Sequence, residues 1–169
     1  MIASNKAKEI AKLLAILGDE RATMHTIAIL SQKGGTGKTT LALHLAVAAE
    51  KDGHSTVVID LDPQASSAGW KDTRPQETPV VVPTPSARLK QALEAARKGR
   101  AALVFIDSAP HSGDDALAAA EAADIILIPC RAAILDLRAI ATTARIVKLA
   151  GKPAFVVLNA VPPRATRVL

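Results

Sequence analysis

The sequence has no tyrosine, and aromatic residues make up only 2% of its 169 positions. Binding of single-stranded nucleic acid through stacked bases needs aromatic platforms, so the composition disfavours that class of surface. Cysteine is nearly absent too. Cys130 stands alone, so no internal disulfide can form, and a reducing, cytoplasmic compartment fits. It follows Ile125-Ile126-Leu127-Ile128-Pro129 and reads as a small packing residue. No apolar run approaches the roughly 18 residues of a membrane span. A secretory signal is excluded at the N-terminus because Lys6, Lys8, Glu9 and Lys12 interrupt it. Internal repeats and low-complexity tracts are missing.

What is present describes an ordinary globular domain. Hydrophobic residues are 49% and charged residues 22%, and the length suits one sizeable core. The net charge of +5 permits an acidic partner such as DNA without requiring one.

From His25 onward, apolar runs alternate with helical patterns. The runs at 27–30, 56–60, 103–106, 125–129 and 154–158 predict buried parallel strands, with a weaker one at Val80-Val81-Val82. Helical periodicity falls at 38–52, 86–98, 112–122 and 134–150. The alternation predicts an α/β three-layer fold, a mostly parallel sheet flanked by helices, with ligands beyond the carboxyl ends of the strands. Pro63 to Pro85, rich in Pro, Thr and Ser, is expected to be an irregular connection. Residues 1–22 stand apart: Ile10, Leu13, Leu14 and Leu17 recur at helical spacing before Gly18. They are expected to form a helical extension, with residues 23–169 as the main domain.

The chemistry centres on Ser31-Gln32-Lys33-Gly34-Gly35-Thr36-Gly37-Lys38-Thr39-Thr40, between the first strand and the first helix of that domain. Strand, glycine-rich loop and helix is the context of a phosphate-binding loop. Gly34, Gly35 and Gly37 let the backbone approach an anion, and the N–H groups of the loop and helix start point at it. Lys38 supplies a cation for the β- and γ-phosphates, and Thr39 a hydroxyl for Mg²⁺. Three strand ends add side chains. Asp60 and Asp62, two apart, are expected on one side of an extended strand, where they can hold Mg²⁺ through water and position an attacking water. Asp107, closing Leu103-Val104-Phe105-Ile106, is placed to hold a Mg²⁺-bound water. Asn159 follows Phe155-Val156-Val157-Leu158 and offers both a donor and an acceptor at that strand end.

The loop departs from G-x-x-x-x-G-K-S/T, since Gln32 stands where the first glycine would be and Lys33 precedes the glycine pair. Lys-Gly-Gly-x-Gly-Lys-Thr resembles the deviant Walker A loop of the ParA/MinD family of ATPases. The resemblance runs from Met24 to Leu169 and includes Asp60-Leu61-Asp62-Pro63-Gln64 and Asp107-Ser108-Ala109-Pro110. It implies that Gly34 to Thr40 bind ATP or ADP with Mg²⁺ and that Lys33 reaches across a homodimer to the partner's nucleotide. It also puts Asp62 near the hydrolytic water, with Asp60 its neighbour, and Thr39, Asp60 and Asp107 about the metal. Asn159, with Pro162 nearby, would line the adenine pocket. The segment from Pro129 to Leu137 would enter a helix near the dimer face, with Arg131 and Arg138 as candidate interface groups and Asp136 a helix N-terminal residue.

The function implied is that of a partition ATPase acting in plasmid or chromosome segregation, with a ParB-like centromere-binding partner and non-specific DNA. DNA binding is expected to be weak, since family members continue beyond this point and only Arg164 and Arg167 follow Asn159 here. A protein cargo or division site, or a catalytically silent nucleotide-binding core, are the alternatives. An iron–sulfur reductase would need more than one cysteine, and a kinase with a tyrosine-rich tail would need tyrosine.

Overall fold

The structure, a computed structural model, describes residues 24–161 apart from 65, 111–112 and 132–133. The side chains of residue 68 and of 134–139 are also outside what it describes. The extension over 1–22, together with Pro162, Arg164 and Arg167, therefore falls outside the described residues, as do the side chains of Asp136 and Arg138.

Among the described residues, six strands and five α-helices follow one another in the order β1 His25–Ile29, α1 Lys38–Lys51, β2 Thr56–Asp60, α2 Ser66–Asp72, β3 Val80–Pro83, α3 Leu89–Lys98, β4 Leu103–Asp107, α4 Gly113–Ala122, β5 Ile125–Arg131, α5 Ile134–Ala150 and β6 Ala154–Asn159. A 3₁₀ turn over Ser86–Arg88 leads into α3. The strands form one sheet in the order β3-β2-β4-β1-β5-β6, and every pairing is parallel.

The four central strands read as unbroken apolar runs because both of their faces are covered. Ala28, Leu30, Ile59, Val104, Ile106, Ile126 and Ile128 face a core built with Leu89 and Ala96 of α3, Ala116, Ala119 and Ala120 of α4, and Ile140, Ile146 and Val147 of α5. The alternate residues Ile27, Ile29, Val58, Leu103, Phe105, Ile125 and Leu127 pack against Ala42, Leu43, Leu45, Ala46 and Ala49 of α1, with Trp70 of α2 beside them. Each large side chain removed from water here contributes roughly 1.5–3 kcal/mol, which fixes both layers and the register between them.

Two expectations need correction. Residues 63–85 are not one irregular connection: α2 occupies Ser66–Asp72, ahead of the strand expected at 80–82, which forms as β3. The run at 154–158 is not a buried strand either. It forms β6 at the sheet edge, with Phe155, Val156 and Leu158 exposed.

The sheet order fixes where a ligand can sit. β1 lies between β4 and β5, and the chain leaves β1 for β2 on one side but reaches β5 on the other. That reversal opens a crevice at the carboxyl end of β1, where residues 31–37 run.

Candidate functional site

The loop after β1 is held at both ends. The Leu30 N–H donates to the Leu127 carbonyl (2.9 Å), and the Ser108 hydroxyl donates to the Ile29 carbonyl (3.0 Å). Further along, the Gln32 N–H donates to Thr143 Oγ1 of α5 (3.3 Å), and the Thr36 hydroxyl turns back to the Lys33 carbonyl (3.4 Å). Thr36 is thereby buried as a brace, so only its backbone N–H remains for a ligand. Gly35 and Gly37 take left-handed backbone angles, φ 72° and 94°, which turn successive amides toward one concavity. Gly37 precedes α1, whose N-terminus receives no side-chain cap and has no acidic residue in its first turn. Its orphan amides and the positive end of its dipole are thus left for an external anion. Gly34, Gly35 and Thr40 lie exposed around this opening.

Asp60, Asp107 and Ile29 end three strands in direct register. By alternation both carboxylates fall on the α1 side of the sheet, facing the start of that helix. Asp107 is 1% exposed, and burial, with the neighbouring charge of Asp60 adding to it, pushes its carboxyl up to about 6. Hydrogen bonding from Thr39 and Ser67 and the charge of Lys38 pull the other way. The Ser67 hydroxyl donates to its Oδ2 (3.3 Å), while Oδ1 is buried without a hydrogen-bond partner. Lys38 is itself buried; desolvation lowers its pKa, and Asp107 and Asp62 oppose that shift.

An orphaned carboxylate oxygen beside a threonine hydroxyl fits a hard cation that wants oxygen donors and keeps its waters. The described residues contain no group of three His, Cys, Asp or Glu side chains able to hold a metal alone. The donor set is therefore that of Mg²⁺ carried in with phosphate oxygens rather than of a resident all-protein site. Thr39 and Asp107 would hold it.

The raised Asp107 carboxyl makes a pH-dependent prediction. The folded state binds a proton here more readily than the unfolded chain, so this residue costs nothing below about pH 4. The cost grows as pH rises through about 6. Moving a carboxyl from 3.8 to about 6 corresponds to roughly 3 kcal/mol at neutral pH. Asp107→Asn should raise the melting temperature of the ligand-free protein at pH 7.5 and leave it unchanged at pH 4, read by calorimetry at the two pH values. An equal effect at both would refute the assignment.

Asp60 and Asp62 do not share an extended face as the spacing suggested, because β2 ends at Asp60. The chain turns there: the Asp62 N–H donates to Asp60 Oδ1 (3.0 Å), and the Ser67 N–H donates to Asp60 Oδ2 (3.0 Å), tying down the start of α2. Burial is the main cause of the raised Asp60 pKa. Asp62 reaches the neighbourhood of Lys38 through this turn, and its Oδ1 accepts the Gln64 N–H (2.9 Å). Ser67, which sequence reasoning missed, is fully buried and joins the two strand-end carboxylates through its N–H and its hydroxyl. Its only signal was a Ser-Ser pair in a segment read as irregular.

Asn159 lies against the loop. Its Nδ2 donates to the Thr36 carbonyl (3.0 Å), and its Oδ1 accepts the Ala160 N–H (2.9 Å). A side-chain amide has two N–H donors and an oxygen with two lone pairs, so one of each remains for a ligand. Arg131 ends β5, exposed beside Gly35. The Lys33 N–H meets Ser31 Oγ (3.4 Å), which places that residue at the rim before the glycine pair. Cys130 is buried, as its apolar neighbours predict.

Residues 27–169 match the family model of the CobQ/CobB/MinD/ParA nucleotide binding domain. The Maintenance of carboxysome distribution protein A of Gloeobacter kilaueensis is 34% identical over 160 residues, covering 88% of this chain and 69% of that protein. Among solved structures, a plasmid partition protein from Borrelia burgdorferi superposes with a TM-score of 0.69 at 19% identity, over 86% of this chain and 84% of that one. The septum site-determining protein MinD of Pyrococcus horikoshii OT3, complexed with Mg-ADP, superposes with a TM-score of 0.67 at 19% identity, over 85% and 76%. At such identities the structural likeness establishes the fold.

Proposed function

The chain belongs to the CobQ/CobB/MinD/ParA nucleotide-binding family, and from that premise we propose that it binds Mg-ATP in the 31–40 loop, hydrolyses it slowly, and works as an ATP-dependent dimer in partition or positioning. The observation that carries this reading is local. Lys38 and Thr39, at the uncapped start of α1, face the Asp107 carboxylate, one oxygen of which is buried and has no hydrogen-bond partner.

Each residue has a part in this scheme. Backbone N–H groups from Gly34 to Thr40 cradle the phosphates, and Lys38 neutralises their charge. Mg²⁺, when bound, draws electron density from the β- and γ-phosphates. Thr39 and Asp107 would hold it, with Asp60 behind them. Asp62 orients the water that attacks the γ-phosphorus. The new P–O bond forms as the bond to the β-phosphate oxygen breaks, releasing ADP and inorganic phosphate. Asn159 spends its remaining donor and acceptor on the adenine edge.

Lys33 acts on the partner's nucleotide. A cation inserted in trans is worth about 10³–10⁵ in rate in related phosphoryl-transfer systems. Lys33→Ala is therefore expected to keep ATP affinity nearly unchanged while turnover and the dimer fraction fall together. ATPase assays paired with light scattering decide it, and unchanged turnover and dimerisation would remove Lys33 from the mechanism.

Segregation of DNA through a ParB-like partner is the first reading of the biology, in keeping with the Borrelia partition protein. Exposed basic residues support weak, non-specific DNA contact: Arg88, Lys90, Arg97, Lys98 and Arg100 in and around α3, and Arg145 and Lys148 on α5. Both helices pack on the same face of the sheet. Positioning of a protein assembly is the second reading, favoured by the carboxysome-distribution relative.

A further inference from the structure

The end of β5 carries a residue that the scheme above does not use. β5 pairs with β1 only as far as Leu127, opposite Ile29, where β1 ends. Pairing with β6 then carries β5 onward to Arg131, opposite Asn159. This extension runs beside the phosphate loop, past the end of the strand that feeds it. Arg131 shares its parity with Ile125 and Leu127, whose side chains lie on the α1 side of the sheet. Its guanidinium crosses to the loop, where Nη2 lies 3.6 Å from the position a Cβ on Gly35 would occupy.

Arg131 and Asn159 therefore approach consecutive parts of the loop from neighbouring strands. Asn159 is neutral and meets Thr36 and Gly37, whereas Arg131 is a cation and meets Gly35. Gly35 has no side chain and a left-handed φ of 72°, so its backbone is open to this approach. Arg131 is exposed, and its guanidinium presents a planar fork of donors that matches phosphate oxygens.

We propose that Arg131 is a second phosphate-binding cation supplied in cis, gripping the phosphates of a nucleoside di- or triphosphate over Gly35. This rests on the nucleotide reading above, with Lys38 contacting the phosphates from the helix end and Arg131 from the β5 end. Charge-assisted bonds to phosphate are among the stronger polar interactions, although solvent access reduces their effect.

The test is calorimetric titration of the full chain with Mg-ATP and Mg-ADP, using the parent, Arg131→Met, Arg131→Lys and, as a control, Lys38→Ala. Circular dichroism checks that each variant is folded, and Arg131→Gln replaces the methionine variant if that one is not. Arg131→Met is expected to bind at least one of the two nucleotides about tenfold more weakly, with the deficit shrinking as salt rises. Arg131→Lys is expected to recover part of the loss, since it restores the charge but not the fork, and a purely packing role would not allow that. Methionine-variant affinities within twofold of the parent for both nucleotides would overturn the proposal, as would a lysine variant as weak as the methionine one; in either case the nucleotide reading stands. A parent that binds neither nucleotide would overturn both.

Discussion

Lys38→Ala is expected to abolish Mg-ATP binding while leaving the protein folded. Lys38 is the first residue of α1 and is buried beside Asp107 and Asp62. Without it, phosphates entering the loop would meet two carboxylates and no cation from the helix side. A hydrogen bond between charged groups is worth about 1.5–3 kcal/mol. Removing several of them from a polyphosphate amounts to a weakening of roughly a thousandfold or more, since each 1.4 kcal/mol is a factor of about ten. The fold should survive because alanine is a good helix former and the change removes the desolvation cost of a buried ammonium. Calorimetric titration reads the first effect and thermal melting the second. Parent-like ATP affinity in a folded Lys38→Ala would refute the site.

Gly37→Ala is expected to disable the loop by a separate route. Gly37 has φ 94°, in the left-handed region, where a Cβ costs roughly 1–2 kcal/mol. That Cβ would also run into Asn159 Nδ2 and stand 3.5 Å from its Cγ. Asn159 would have to give up the Thr36 carbonyl, worth about 1 kcal/mol, or the loop would have to shift its amides off the phosphates. The expected result is a destabilisation of roughly 2–3 kcal/mol from these two costs. Mg-ATP affinity should fall at least tenfold. In an Asn159→Ala background, where that bond is already gone, Gly37→Ala should add only the backbone part. Denaturant unfolding and titration of the single and double variants separate the two. A single variant with parent stability and affinity would contradict the loop geometry.

The elements that were legible in the sequence are those whose signal is local. β1, β2, β4 and β5 are covered on both faces, so their apolar runs show directly, and α5 falls at 134–150 as its periodicity predicts. β6 shows why that signal has a limit. Phe155-Val156-Val157-Leu158 is as apolar as a central strand, and only the sheet order reveals it as an edge. α2 spans seven residues with Gly69 inside, too few for periodicity to register. It is tied in by Asp60 accepting the Ser67 N–H, a bond between chain segments.

The candidate site divides in the same way. The placement of Lys38, Thr39 and Asp107 was legible because it depends on which residue ends a strand or opens a helix. The turn after Asp60 was not, because the backbone hydrogen bond to its own carboxylate breaks the alternation of the strand. Ser67 under Asp107, and Arg131 over Gly35, depend on segments far apart in the chain meeting at the sheet's carboxyl end.

The central claim is that residues 34–39 hold nucleotide phosphates with a metal shared by Thr39 and Asp107. A crystal structure of this chain grown with Mg²⁺ and a non-hydrolysable ATP analogue tests it most directly. The account predicts β- and γ-phosphate oxygens on the loop N–H groups and on Lys38 Nζ, with the metal at Thr39 Oγ1 and the Asp107 carboxylate. A nucleotide bound elsewhere on the chain, or a metal held away from both Thr39 and Asp107, would contradict it.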